Sequence, residues 1–143
     1  MHEYLALRQA IKHGYDGCMA RAMAATGLNR MELDVLLFLA NNPEQDTAAA
    51  MVRLRGLCKS HVSAAVEALV RRGMLTRHVA ADNRREIHLL LTDAAAPAVS
   101  LGRAAQERFG QQLLAGITPE EQAFLERCMK KILANLEEKE LKP

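Results

Sequence analysis

Apolar residues recur along most of the chain at the spacing of helices. Between residues 3 and 26, Leu5, Ile11, Tyr15, Cys18, Ala22 and Ala25 fall mostly three or four apart, which predicts a first helix with one apolar stripe. Gly14 and Gly17 weaken it, and Gly27 reads as its stop. Asn29 followed by Glu32 has the form of a capping box, and the run Leu33 to Leu39 is apolar nearly all round. That predicts a second helix central to a core, ended by Asn41-Asn42-Pro43. Asp46 or Thr47 caps a short third helix to about Leu54, with a turn at Gly56. A fourth helix begins near Lys59 or Ser60. It buries Val62, Ala65, Val66, Leu69 and Val70 and ends at Arg71, Arg72 and Gly73.

The period then changes from helix to strand. Leu75, Arg77 and Val79 alternate with Thr76, His78 and Ala80, and Ile87, Leu89 and Leu91 alternate again. The polar stretch between them, residues 81–86, makes this a β-hairpin with a basic tip. Thr92 and Asp93 start a helix running to about Ala115, with Pro97 in its second turn bending its start. Thr118, Pro119 and Glu121 open a last helix as N-cap, N1 and N3. Its stripe is Phe124, Leu125, Cys128, Ile132 and Leu136, and Glu137 to Pro143 are expected to fray.

The fold class expected is mainly α with a small β-hairpin wing. At 143 residues it is expected to be one domain, 1–143. Aromatic residues are 3% of the chain, so Ala, Leu, Val and Met must build the core, which favours helix. No apolar run approaches the ~20 residues of a membrane span, and the first residues lack a basic and apolar leader pattern. Cys18, Cys58 and Cys128 are far apart and form no CxxC pair. The expectation is a cytoplasmic protein with reduced thiols and no cofactor.

Charge is unevenly spread. The whole chain carries +2, yet residues 53–88 alone hold eight basic and three acidic side chains. Such a block is a candidate footprint for a polyanion, and a solvated face is the plainer alternative. Its position matters more than its size. A short helix, a tight turn, a second helix and a basic hairpin form a winged helix-turn-helix. In that unit one helix can enter a major groove while the hairpin reaches sugar–phosphate and the minor groove.

The matching pieces are Gly56-Leu57, Lys59-Ser60-His61-Val62-Ser63, Leu69, Arg72-Gly73, Asp82-Asn83-Arg84-Arg85 and Leu90-Leu91-Thr92. In this order and spacing, the stretch Thr47 to Thr92 closely resembles the MarR family of bacterial transcription regulators. The resemblance implies a winged helix-turn-helix DNA-binding lobe over 28–92 and a helical dimerisation lobe from 1–27 and 93–143. It further implies a homodimeric repressor of near-palindromic double-stranded DNA, released by a small-molecule effector.

On this reading the DNA-binding candidates are Lys59, Ser60, His61 and Ser63 of the recognition helix (about 59–72), Arg84 and Arg85 of the wing, and the flanking Arg53 and Arg77. Arg84 is assigned to insertion, and Arg85 to bracing or phosphate contact. Tyr15, Met19 and Met23 are candidates for lining an effector pocket, with core packing as the alternative.

Departures from the family pattern leave rival readings. Ala64 stands where a long polar side chain is common, which admits a protein–protein adaptor without DNA binding. Cys58 stands where Asp or Pro is common. Next to Lys59 at a helix start its thiol should be acidic, and three residues from His61 it could form a thiol pair, as in a redox sensor or enzyme. The histidines form no HxxxH or HExxH pair, so no metal site is expected. No catalytic motif stands out, and an enzyme is not expected.

Overall fold

A computed structural model describes residues 1–140, with side chains to residue 137. The elements are α1 (His2–Thr26), α2 (Arg30–Asn41), α3 (Ala48–Arg55), α4 (Lys59–Arg71), β1 (Leu75–Val79), β2 (Ile87–Leu91), a 3-10 turn (Asp93–Ala95), α5 (Ala96–Leu113) and α6 (Pro119–Glu140). The chain forms two compact units, residues 1–109 and 110–143.

The first unit is built around α2. Asn29 Oδ1 accepts from the Glu32 N–H at 2.8 Å, and the Glu32 carboxylate accepts from the Asn29 N–H, closing the capping box. From Leu33 to Leu39 only Asp34 reaches solvent. Leu33, Val35 and Leu36 are fully buried, each worth about 1.5–3 kcal/mol of burial. Around them pack Met19 and Ala22 of α1, Met51 of α3, Val62, Val66 and Leu69 of α4, Leu75 and Leu89 of the hairpin, and Ala98 and Ala105 of α5. The buried face of α1 is therefore Met19 and Ala22, with Tyr15, Cys18 and Met23 half-buried beside them. Leu5 and Ala25, which the spacing placed on this stripe, are exposed.

Arg30 ties α1 to α2. Its guanidinium lies 2.7 Å from Asp16 and 3.0 Å from Asp34, and 5.0 Å from the Tyr15 ring centroid. Two glycines on neighbouring helices mark close approaches. A Cβ at Gly14 would meet the Phe109 ring at 2.9 Å, and one at Gly102 would meet Leu37 Cδ2 at 2.7 Å.

The two alternating segments pair antiparallel, with Leu75 opposite Leu91 and Val79 opposite Ile87. A lone hairpin is marginal in water. This one is held by the buried Leu75 and Leu89, and by the Leu89 N–H donating to the Asp46 carbonyl at 2.8 Å. Its base is closed twice by Thr92, whose N–H donates to the Met74 carbonyl and whose hydroxyl donates to that of Gly73.

After the hairpin the expected single helix is divided. A 3-10 turn over Asp93–Ala95 precedes α5, so Pro97 falls in the first turn of α5, where its missing N–H costs no helical bond. In the second unit, Thr118 and Glu121 form the expected capping box of α6. The helix continues through 137–140, where fraying was expected, and residues 141–143 lie outside the described part. Phe124, Leu125, Ile132 and Leu136 of its stripe are exposed, as are Met129 and Leu133.

The Gly102 contact gives a direct check of the core. Leu37 is 1% exposed and cannot retreat. Gly102→Val should lower unfolding stability by about 2 kcal/mol in urea titration, despite adding a side chain to a helix. An unchanged midpoint would mean α5 is not seated on α2 as described.

Candidate nucleic-acid interface

The exposed face of α4 follows from its periodicity. At about 100° per residue, Ser60, Ala64, Glu67 and Arg71 form the column opposite the buried Val62, Ala65, Val66 and Leu69. Lys59 and Ser63 lie on the flank nearer the wing. His61 lies on the other flank, lining a cavity with Arg30 and Met31 at the start of α2. All four α4 candidates, Lys59, Ser60, His61 and Ser63, are exposed.

The hairpin stands beside this face. Its apex is shaped by Asn83, whose side-chain oxygen accepts from the Arg85 N–H at 3.1 Å and whose carbonyl accepts from the Glu86 N–H. Arg84 and Arg85 are exposed at the tip. Neither is braced by Asp82 or Glu86. Asn83 does that work through the backbone, so the expected ion-pair bracing role of Arg85 is absent among the described residues.

Arg53 of α3 and Arg85 of the wing line one cleft of ≈ 440 Å³ with Thr47, Asn83 and Glu86. A second cleft of ≈ 220 Å³ lies between α4 and the hairpin, lined by Ser63, Val66, Glu67 and Arg77 among others. There the Arg77 guanidinium donates to Glu67 Oε2 at 2.8 Å. Arg77 therefore differs from the other basic candidates. Lys59, Arg53, Arg84 and Arg85 carry no ion pair among the described residues, and Arg77 carries one.

Residues 26–86 match the MarR family. The match covers α2 to the wing apex. Among solved structures, a transcriptional regulator is 25% identical, covering 94% of this chain and 98% of its own, with a TM-score of 0.82. The S. aureus MepR–DNA complex is 17% identical over 95% and 96% of the two chains, with a TM-score of 0.77. BpsR of Bordetella bronchiseptica, whose DNA binding is regulated by 6-hydroxynicotinic acid, is 19% identical over 92% and 98%, with a TM-score of 0.68. No curated protein matches the sequence.

Within the matched stretch the N-cap of α4 is Cys58, not Ser60, which lies inside the first turn. The thiol is exposed and its sulfur sits 3.1 Å from Ser60 Oγ. That contact, followed by the backbone N–H groups of His61 and Ser60, holds the thiol below its ordinary range. The acidity expected from Lys59 thus has another source, and the side-chain partner is Ser60 in place of the proposed His61. Of the effector candidates, Met19 is fully buried core, while Tyr15 and Met23 are half-buried against it. No group of three or more His, Cys, Asp or Glu among the described residues could hold a metal ion.

Two features were not foreseen from sequence. Arg71 continues the outward column of α4. His88 of β2 places Nδ1 2.7 Å from Asp46 Oδ1, joining the wing to the segment before α3. The Asp46 hydrogen bond is the main cause that raises the His88 pKa, with the charges of Asp46, Glu86 and Asp82 assisting against partial burial.

These two titrations give separate checks. A folded pKa above the unfolded value of about 6.5 means that the His88–Asp46 contribution is complete below that pH. It is lost as pH rises through the folded value. Urea midpoints should therefore fall from pH 6 to pH 8 more in the parent than in His88→Ala, and equal slopes would remove the ion pair from the account. Cys58 should react with iodoacetamide at pH 7.5 faster than Cys18 or Cys128, read by peptide mass; a slower Cys58 would contradict the thiol geometry.

Proposed function

We propose that the protein is a homodimeric, sequence-specific DNA-binding transcription regulator, a ligand-responsive repressor of a near-palindromic operator. The observation that carries this reading is four exposed cations on the helix-turn-helix and wing, Lys59, Arg53, Arg84 and Arg85, of which Arg53 and Arg85 share one cleft, each without an internal counter-ion among the described residues. Cations left free in this way are available to phosphates. The exposed first turn of α4 adds Ser60, His61 and Ser63 at the end of the helix that suits base edges and phosphate. The complex of S. aureus MepR with DNA supports carrying this role to the same elements here.

Dimer formation is supported by unpartnered apolar surface. α6 presents Phe124, Leu125, Met129, Ile132, Leu133 and Leu136, and the start of α1 presents Tyr4, Leu5 and Leu7. Apolar patches of this kind are what subunit contacts cover. Ligand response is supported by BpsR and its 6-hydroxynicotinic acid. On this chain the half-buried Tyr15 and Met23 are the effector candidates that still reach the surface. No helix among the described residues is long and apolar enough to cross a membrane.

The test is binding to a labelled duplex from upstream of its own gene, followed by fluorescence anisotropy at rising salt. Affinity should fall steeply, with a log–log slope of about −0.9 per phosphate neutralised. Lys59→Ala and Arg84→Ala should each weaken binding and lessen the slope by about one unit. The mass in sedimentation should stay at twice the 15.8 kDa of one chain. A flat salt response, or a parent protein that stays monomeric at micromolar concentration, would overturn the reading.

A further inference from the structure

We infer that Glu67 is a base-discriminating residue, set by Arg77 to accept a hydrogen bond from the exocyclic amino group of cytosine in the major groove. The inference rests on the DNA-binding reading above and goes beyond it by naming a reader and its base.

Glu67 is the one acid on the exposed face of α4, in the outward column with Ser60, Ala64 and Arg71. An acid placed towards a polyanion lowers affinity everywhere unless it is neutralised or finds a donor. Both conditions are met at this position. Arg77, on the hairpin face turned to α4, holds Glu67 Oε2 at 2.8 Å and leaves the other carboxylate oxygen free to accept. Arg71, one turn on, adds positive charge, and the carboxyl is held below its ordinary range by the Arg77 contact first. Ala64, one turn earlier on the same column, carries no group that could hydrogen-bond a base edge in its place.

The base follows from the acceptor. A carboxylate has no donor to offer, so the guanine O6 and N7 and the thymine O4 repel it. Adenine offers its N6 amino group beside an N7 acceptor that also repels. Cytosine offers its N4 amino group with no acceptor alongside, and is the base that Glu fits best. Arg77 acts through Glu67 and is a positioning residue in this scheme, not a phosphate contact.

The experiment is selection of bound sequences from a random 30-base-pair duplex pool by the full chain. The parent should enrich a half-site with one position restricted to cytosine on one strand. Glu67→Ala should relax that position on the order of tenfold and leave the others unchanged. Glu67→Gln should move the same position towards adenine, because an amide can both donate and accept there. Arg77→Ala should weaken discrimination at that position alone, and leave the salt slope on a fixed duplex unchanged.

The same motif from the parent and from Glu67→Ala would overturn the inference while keeping the DNA-binding reading. So would an Arg77→Ala protein that binds all sequences uniformly more weakly with a slope smaller by about 0.9, the mark of a lost phosphate contact. A parent that enriches no motif would overturn both. Glu67 and Arg77 are exposed, so circular dichroism of the variants should match the parent.

Discussion

The burial of α2 on every side is the constraint that fixes the positions of all the other elements in the first unit. A helix apolar nearly all round has no solvent face to offer, so neighbours must cover it from several directions. α1, α4, the hairpin and α5 each contribute fully or nearly buried residues to that cover. The exposed face of α4 is what remains after Val62, Ala65, Val66 and Leu69 have turned inward. The direction in which Lys59, Ser60 and Glu67 point is thus a by-product of core packing. Close packing makes it a firm one, because Gly102 and Gly14 leave no slack between helices.

Much of this was legible in the sequence because the signals were local. The capping box at Asn29, the stop at Gly27, the period change at Leu75 and the Thr118–Glu121 start of α6 each depend on residues within a few positions of one another. The two strands of the hairpin followed from alternation alone. The misses share a different cause. Leu5 lies before the part of α1 where burial begins, and Ala25, three residues after the buried Ala22, is turned about 60° off that face. Pro97 was read as a bend because the preceding 3-10 turn, which moves it into the first helical turn, leaves no mark on apolar spacing. The helix continues past Glu137 because Glu137, Glu138, Lys139 and Glu140 are good helix formers with no Gly or Pro to stop it.

The candidate interface was legible as a block of charge, but not in its internal partners. Charge density and motif spacing pick out Lys59, Arg84 and Arg85, which the fold leaves exposed. Ion pairs between residues far apart in sequence did not announce themselves. Arg77 and Glu67 are ten positions apart, and His88 and Asp46 are 42 apart. Each pair joins the hairpin to a different neighbour, α4 in one case and the segment before α3 in the other. Their individual strength is small at such exposure. Their effect is local: each fixes one hairpin side chain against its neighbour, while the buried Leu75 and Leu89 and the closure at Thr92 hold the sheet itself.

The double closure of the hairpin by Thr92 has a consequence for how this architecture tolerates change. With strands anchored at Met74 and Gly73, whatever happens at Asn83 is separated from the buried Leu89 by two cross-strand pairs and from the closure at Thr92 by five. Lengthening the apical loop from a few residues to twice as many costs only about 0.6 kcal/mol in closure entropy. Insertions and deletions can therefore accumulate there while the helices beneath stay as they are. A scaffold of this design can diversify its reach over a target by altering one turn.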